Sequence, residues 1–143
     1  MKTLVAYSTK SGASRLCAEH LAERLPAATL ADLSCDQPDP TGFDAVVVGS
    51  GVRMGKFYKP ALRFLSANEQ ALSSTPLILF TCNAYPDTFD KALRDNVPQS
   101  LLGHARCALS LGGLPPFRKV PFSEWANTKA IDHLCAELRE LEP

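Results

Sequence analysis

The sequence predicts an α/β chain: a doubly wound, five-stranded parallel sheet in the order 2-1-3-4-5, with helices on both faces. Three observations carry this. Short apolar runs alternate with stretches whose apolar residues recur at helical spacing. The third to fifth runs are apolar at consecutive positions, as strands covered by helices on both sides must be. The second run follows the first helix closely, so a right-handed crossover places it at one edge and the remaining strands wind the other way. At 143 residues the chain is short for two ordinary domains, and one domain over residues 1–143 is expected.

The elements follow in order. Thr3 to Ser8 is a compact hydrophobic run, and Ala18, Leu21, Ala22 and Leu25 then mark one buried helix face. Ala28 to Leu33 is a weaker strand before the turn-rich stretch 34–42. Phe43 to Ser50 gives the strongest strand signal. Pro60 suits a first helical turn, followed by Ala61, Leu62, Leu65 and Leu72. Pro76 to Cys82 is the fourth strand, Thr88 to Val97 a short helix, and Ala105 to Leu111 the fifth strand. A last helix over about 123–141 buries Ile131, Leu134, Cys135, Leu138 and Leu141.

Composition excludes several classes. Lys and Arg total 15, as do Asp and Glu, which argues against a nucleic-acid binder. Five cysteines, Cys17, Cys35, Cys82, Cys107 and Cys135, form no C-x-x-C pair and are odd in number, unlike a disulfide framework or a zinc site. A reducing, cytoplasmic compartment is expected, with no metal. No apolar stretch approaches the roughly 20 residues of a membrane span, and no signal peptide is expected. His20, His104 and His133 are scattered without ligand spacing and are expected on the surface.

In a sheet of this kind a ligand lies at the carboxyl ends of the strands, near the switch between the first and third. The loops to inspect are those after Ser8, Ser50 and Cys82. After the first strand, Ser8-Thr9-Lys10-Ser11-Gly12-Ala13-Ser14 opens directly into a helix. Small residues let the backbone approach an anion, hydroxyls can donate to phosphate oxygens, and the helix start offers free N–H groups. An ordinary polar turn with helix caps is the alternative. Neither G-x-x-x-x-G-K-[ST] nor a G-x-G-x-x-G fingerprint follows this strand; the near miss Gly49-Ser50-Gly51-Val52-Arg53-Met54 follows the wrong one. Paired acids of a receiver domain are replaced by Thr9-Lys10, and no Cys begins the C-x5-R of a cysteine phosphatase.

Tyr7 to Ser14 resembles the phosphate loop of flavodoxins, an aromatic residue followed by hydroxyl residues around T-x-T-G-x-T. Val48-Gly49-Ser50-Gly51-Val52-Arg53-Met54-Gly55-Lys56-Phe57 resembles their second flavin loop. The run through Pro60 is most similar to the flavodoxin-domain branch that includes the menaquinone-dependent protoporphyrinogen dehydrogenases. The resemblance implies a flavodoxin-like fold and FMN as cofactor. It implies that Thr9, Lys10, Ser11, Gly12, Ala13 and Ser14 hold the FMN phosphate. Ser50, Gly51, Val52, Arg53, Met54, Gly55 and Lys56 would flank the flavin ring, and Cys82, Asn83, Ala84 and Tyr85 would close its other side. Tyr85 is the best candidate for stacking on the ring, with Phe57 and Phe89 behind it, and each could equally be packing. Gly55 would sit beside the ring in a peptide that, without a Cβ, is free to turn over.

Two departures from the flavodoxin pattern stand out. Lys56, with Arg53 nearby, occupies a rim where short flavodoxins carry acids; cations there stabilise an anionic reduced flavin and raise its potential. The segment 112–122 is apolar and basic together; it is either a substrate or peripheral membrane contact or a Pro-stiffened connection. The zero net charge is a cancellation. Residues 1–17 hold Lys2, Lys10 and Arg15 with no acid, residues 50–66 hold Arg53, Lys56, Lys59 and Arg63 with no acid, and Asp32, Asp36, Asp39 and Asp44 lie between.

The expected function is that of an FMN-dependent redox flavoprotein, an oxidoreductase or electron-transfer protein acting on a small quinone-like, porphyrinogen-like or anionic partner. No catalytic side chain is needed, because the flavin carries the chemistry; Arg53 and Lys56 would tune it. The alternative is a non-redox interaction module that binds another phosphate ligand or none. Reactive-thiol chemistry at Cys82 is a minor further reading. The sequence leaves the oligomeric state open.

Overall fold

The computed structural model describes residues 1–83, 86–114 and 119–142. In chain order its elements are β1 (Thr3–Ser8), α1 (Ala13–Glu23), β2 (Ala28–Asp32), a 3-10 turn (Pro40–Gly42), β3 (Ala45–Arg53), β4 (Lys56–Phe57), α2 (Lys59–Ala67), α3 (Glu69–Ser73) and β5 (Leu77–Cys82). A second 3-10 turn (Pro86–Thr88), α4 (Phe89–Asn96), α5 (Gln99–His104), β6 (Cys107–Ser110), α6 (Phe122–Trp125) and α7 (Thr128–Glu140) complete the list. The main path of the sheet runs β2-β1-β3-β5-β6, all parallel. Counting only these five strands, this is the expected order 2-1-3-4-5. The sixth strand, β4, was not expected; it pairs antiparallel with the overhanging end of β3.

Alternation along the strands divides the core in two. Val5, Tyr7, Val47, Ile78 and Phe80 face α1 and α7, whose buried residues include Cys17, Leu21, Leu134 and Leu138. Leu4, Ala6, Val46, Val48 and Leu79 face α2 to α5, where Phe64, Leu65, Leu72 and Leu101 pack against them. Each fully buried Leu or Val contributes about 1.5–3 kcal/mol of transfer free energy, so these two layers carry most of the stability.

Several boundaries differ from those expected. The buried stripe of α1 is Ser14, Cys17, Ala18 and Leu21, one turn earlier than expected, and Leu25 lies beyond the helix end. One long helix after Pro60 becomes two, because Asn68 closes α2 by donating its Nδ2 to the Phe64 carbonyl (3.0 Å) while its own carbonyl accepts from Leu72 N–H. The helix ending near Val97 holds: Val97 is extended, as a residue before proline must be, and α5 then starts anew. The last helix is also divided. Asn127 caps α7, its Oδ1 accepting from Ala130 N–H at 3.1 Å. The fifth parallel strand, β6, is half-buried throughout rather than covered on both sides, since it is the sheet edge.

The three histidines are exposed, as expected. All five cysteines are free thiols. Among the described residues no helix is long and apolar enough to cross a membrane.

Candidate functional site

Three loops leave the carboxyl edge of the sheet at β1, β3 and β5, and neighbouring registers bring them together: Ser8 pairs with Ser50, and Gly51 with Cys82. The first loop, Thr9 to Gly12, is tied to the start of α1. Thr9 Oγ1 accepts from Gly12 N–H (2.9 Å), and Ser11 Oγ accepts from Ala13 N–H (3.4 Å). Each hydroxyl used as an acceptor keeps its own proton to donate. Gly12 precedes the helix at φ 92, a conformation glycine adopts without a Cβ penalty. Ser14, in the first turn, is 1% exposed and its Oγ has no hydrogen-bond partner. A buried, unpaired hydroxyl at a helix N-terminus that carries no acid is a donor waiting for an acceptor.

The second loop is a hairpin. β3 runs on to Arg53, Met54 (φ 53) and Gly55 (φ 78) turn the chain, and β4 returns with Arg53 opposite Lys56 and Val52 opposite Phe57. Two central residues at positive φ match the twist of a two-residue hairpin. Ser50 is spent inside the fold: its Oγ donates to the Gly51 carbonyl (2.7 Å) and accepts from Tyr58 N–H (3.1 Å). The Val52 side chain packs towards the α2–α5 layer, so Val52 offers the site only its backbone. Arg53, Met54 and Lys56 are exposed, Met54 by 93%.

In the third loop Cys82 is 5% exposed and Asn83 is buried, its N–H donating to the Gly112 carbonyl (3.0 Å) and its Nδ2 to Thr88 Oγ1 (2.7 Å). Ala84 and Tyr85, and with them the stacking role read for Tyr85, lie outside the described residues. Phe57 is buried in the α2–α5 layer and Phe89 packs against it, so packing is the reading that fits both. Cys82 Sγ lies 3.7 Å from Cys17 Sγ; that hydrogen bond, with burial second, pushes the Cys17 thiol far up. Cys82 is buried and its Sγ donates to Cys17, so neither thiol stands open to an electrophile.

Sequence reasoning missed Tyr58. Its ring lies against Gly51, where an added Cβ would come within 2.5 Å of Cε2, and Lys10 Nζ sits 5.0 Å from its centroid. Burial raises the Tyr58 hydroxyl pKa, while Arg53 lowers it and Cys82 raises it. The ring thus lies against the second loop and beside the Lys10 ammonium of the first. Its signal was present in the run Gly55 to Pro60, as the aromatic next to Phe57. A cleft of ≈ 780 Å³, lined by Leu33, Asp36, Asp39, Arg63 and Phe64 among others, shares no residue with these loops.

The described ends of segment 112–122 are anchored. Gly112 bridges Ala126, and Phe122 stacks on His20 with centroids 3.9 Å apart. Residues 115–118 lie outside the described residues.

The family model described as "Flavodoxin domain" matches residues 4–115. The chain belongs to the flavodoxin domain family. Its flavodoxin domain is 30% identical over 88 residues to the protoporphyrinogen IX dehydrogenase [quinone] of Escherichia coli K12, covering 58% of this chain. That match spans 49% of the relative, so the chain accounts for about half the length of the curated relatives it matches. Among solved structures, oxidised flavodoxin 1 of Bacillus cereus superposes with a TM-score of 0.66 at 16% identity over the full length of both chains. A flavoprotein of Lactobacillus acidophilus NCFM, solved in complex with FMN, gives 0.61 at 18% identity, covering 76% of this chain and 92% of that one. These likenesses establish the flavodoxin fold.

Proposed function

We propose that this flavodoxin domain binds FMN across the three loops and works as an FMN-dependent oxidoreductase or electron-transfer protein on a small quinone-like, porphyrinogen-like or anionic partner. The observation that carries the reading is the buried, unpaired Ser14 hydroxyl at the N-terminus of α1, beneath a loop of hydroxyl residues that still have protons to donate. A terminal phosphate would satisfy that donor set.

Thr9, Lys10, Ser11, Gly12, Ala13 and Ser14 would hold the phosphate through hydroxyls, backbone N–H groups and one ammonium. The backbone of Ser50 to Lys56 would flank the ring, with Cys82 and Asn83, and Ala84 and Tyr85 beyond them, on its other side. When bound, FMN supplies the redox chemistry; the protein supplies orientation and electrostatics. Arg53 and Lys56 would favour negative charge on the ring and steer anionic partners towards the edge. Tyr58, packed on Gly51, would keep the hairpin and the phosphate loop in register.

The test is direct. Purified protein should be yellow or bind added FMN with quenched fluorescence, and Thr9→Ala or Ser11→Ala should weaken that binding. Absence of FMN binding at micromolar concentrations would leave the non-redox alternative standing. Anaerobic turnover of quinols, porphyrinogens and nicotinamides by the FMN-loaded protein separates enzyme from carrier: a carrier accepts electrons from a reductase yet oxidises none of these catalytically.

A further inference from the structure

The β3–β4 hairpin is built from parts that do not favour it. β4 has two residues, too short to sustain a hairpin alone. Arg53 and Lys56 face each other directly with like charge. Met54 takes a left-handed conformation unusual for a side chain with a Cβ, and at 93% exposure no packing offsets the strain.

Beyond the burial of Phe57, one side chain from another element ties down the hairpin's backbone. Asn96 ends α4, the helix that follows the third loop. Its Oδ1 accepts from Phe57 N–H (3.1 Å); its Nδ2 donates to the Gly55 carbonyl (2.8 Å) and to the Ala92 carbonyl of its own helix (2.7 Å). Both amide protons and the amide oxygen are committed. The result fixes the height of the hairpin above α4 and the direction of the Gly55 carbonyl, which points to α4.

We propose that Asn96 is a positioning residue for the second loop: by holding the Gly55 carbonyl towards α4, it denies that oxygen to the ring and so helps set the reduction potential. This rests on the FMN reading above. Reduction adds protons to the flavin, and an acceptor free to turn towards it stabilises the reduced form more than the oxidised one. Held by Asn96, the carbonyl gives no such help. Released, it can only favour whichever form it binds better, and the potential rises.

The experiment compares Asn96→Leu and Asn96→Ser with wild type and with Asn127→Ala, which removes a helix cap elsewhere. FMN affinity is measured in the oxidised state, and the potential by anaerobic titration against a reference dye. Both Asn96 variants should raise the ratio of reduced to oxidised affinity about tenfold, or about 30 mV for a two-electron couple. Asn127→Ala should lower the melting temperature without moving the potential. In the apoprotein, hydrogen exchange of the Phe57 amide should quicken in both Asn96 variants and not in Asn127→Ala. If one Asn96 variant does not fold, the other is read alone. FMN-loaded Asn96 variants with an unchanged potential overturn the inference, as does an equal shift in Asn127→Ala. Failure of the wild type to bind FMN instead overturns the functional reading itself.

Discussion

Ser14 separates a cofactor contact from a structural one. Its hydroxyl is buried without a partner in the protein, which costs the fold a desolvation penalty of about 1–3 kcal/mol. Ser14→Ala should therefore leave the apoprotein as stable or more stable in thermal melts, while weakening FMN about tenfold in a fluorescence titration. A loss of apoprotein stability with unchanged affinity would show that the hydroxyl serves the fold. The thiols divide just as sharply. Cys35 is exposed, Cys107 is half-buried and pushed up to about 11, chiefly by burial, and Cys17 is buried and pushed further, chiefly by its bond to Cys82. Under native conditions near pH 8, iodoacetamide followed by peptide mass mapping should find Cys35 alkylated first and Cys17 and Cys82 only on unfolding. Of the residues at the candidate site, the hydroxyl loop was legible in the sequence because it is contiguous. Tyr58 and Asn96 were not singled out, because each acts on chain that only folding brings near.

Among the elements, the hairpin and the strand it extends make opposite demands. Lys56→Asp replaces a like-charge cross-strand pair with an opposite one and should stabilise the apoprotein by about 0.2–1 kcal/mol. The same change should lower the potential of bound FMN by an amount on the order of 1 kcal/mol, since a negative charge replaces a positive one at the rim. An unmoved potential would mean that this side chain does not face the ring. Earlier along β3, Gly49 lies under the ring of Phe80 of β5, and an added Cβ would sit 1.9 Å from Phe80 Cζ. Gly49→Ala should cost about 1–3 kcal/mol or more by overpacking, with Phe80→Leu restoring part of it in denaturant melts. At the far edge, Arg106 before β6 binds Glu137 (2.6 Å) and Glu140 (2.7 Å) of α7. The Arg106 bond holds the Glu137 carboxyl below its ordinary range. A depressed carboxylate stabilises the fold above its unfolded pKa, near 4.3, and loses that contribution as pH falls through the lower folded value. The melting-temperature difference between wild type and Glu137→Gln should thus be present at pH 7, begin to shrink as pH falls past about 4.3 and vanish only below the depressed folded value.

At the scale of the whole molecule, charge is clustered along the sequence. The cations of 53–63, Arg53, Lys56, Lys59 and Arg63, stay unpaired among the described residues, whereas Asp39 is bound by Thr41 and Asp32 by Ser34. The reduced FMN-loaded protein should react with ferricyanide, an anion, at a rate that falls about tenfold or more between low and high salt in stopped-flow measurements; a neutral quinone should show no such dependence. A flat salt profile for ferricyanide would remove the steering role of these cations. The strand order and the two-layered core were legible because apolar periodicity and the handedness of crossovers are properties of the chain itself. So was the family, since its two loops are contiguous motifs. The divided helices were less so: Asn68 and Asn127 terminate helices through hydrogen bonds that periodicity does not register. What the sequence determined was the fold and the place of its candidate ligand loops. What only the tertiary structure decided was the β3–β4 hairpin, the Tyr58 ring over Gly51 and the Asn96 clamp on that hairpin, because Tyr58 and Asn96 act on partners 7 and 41 residues away whose approach is set by sheet register and helix packing.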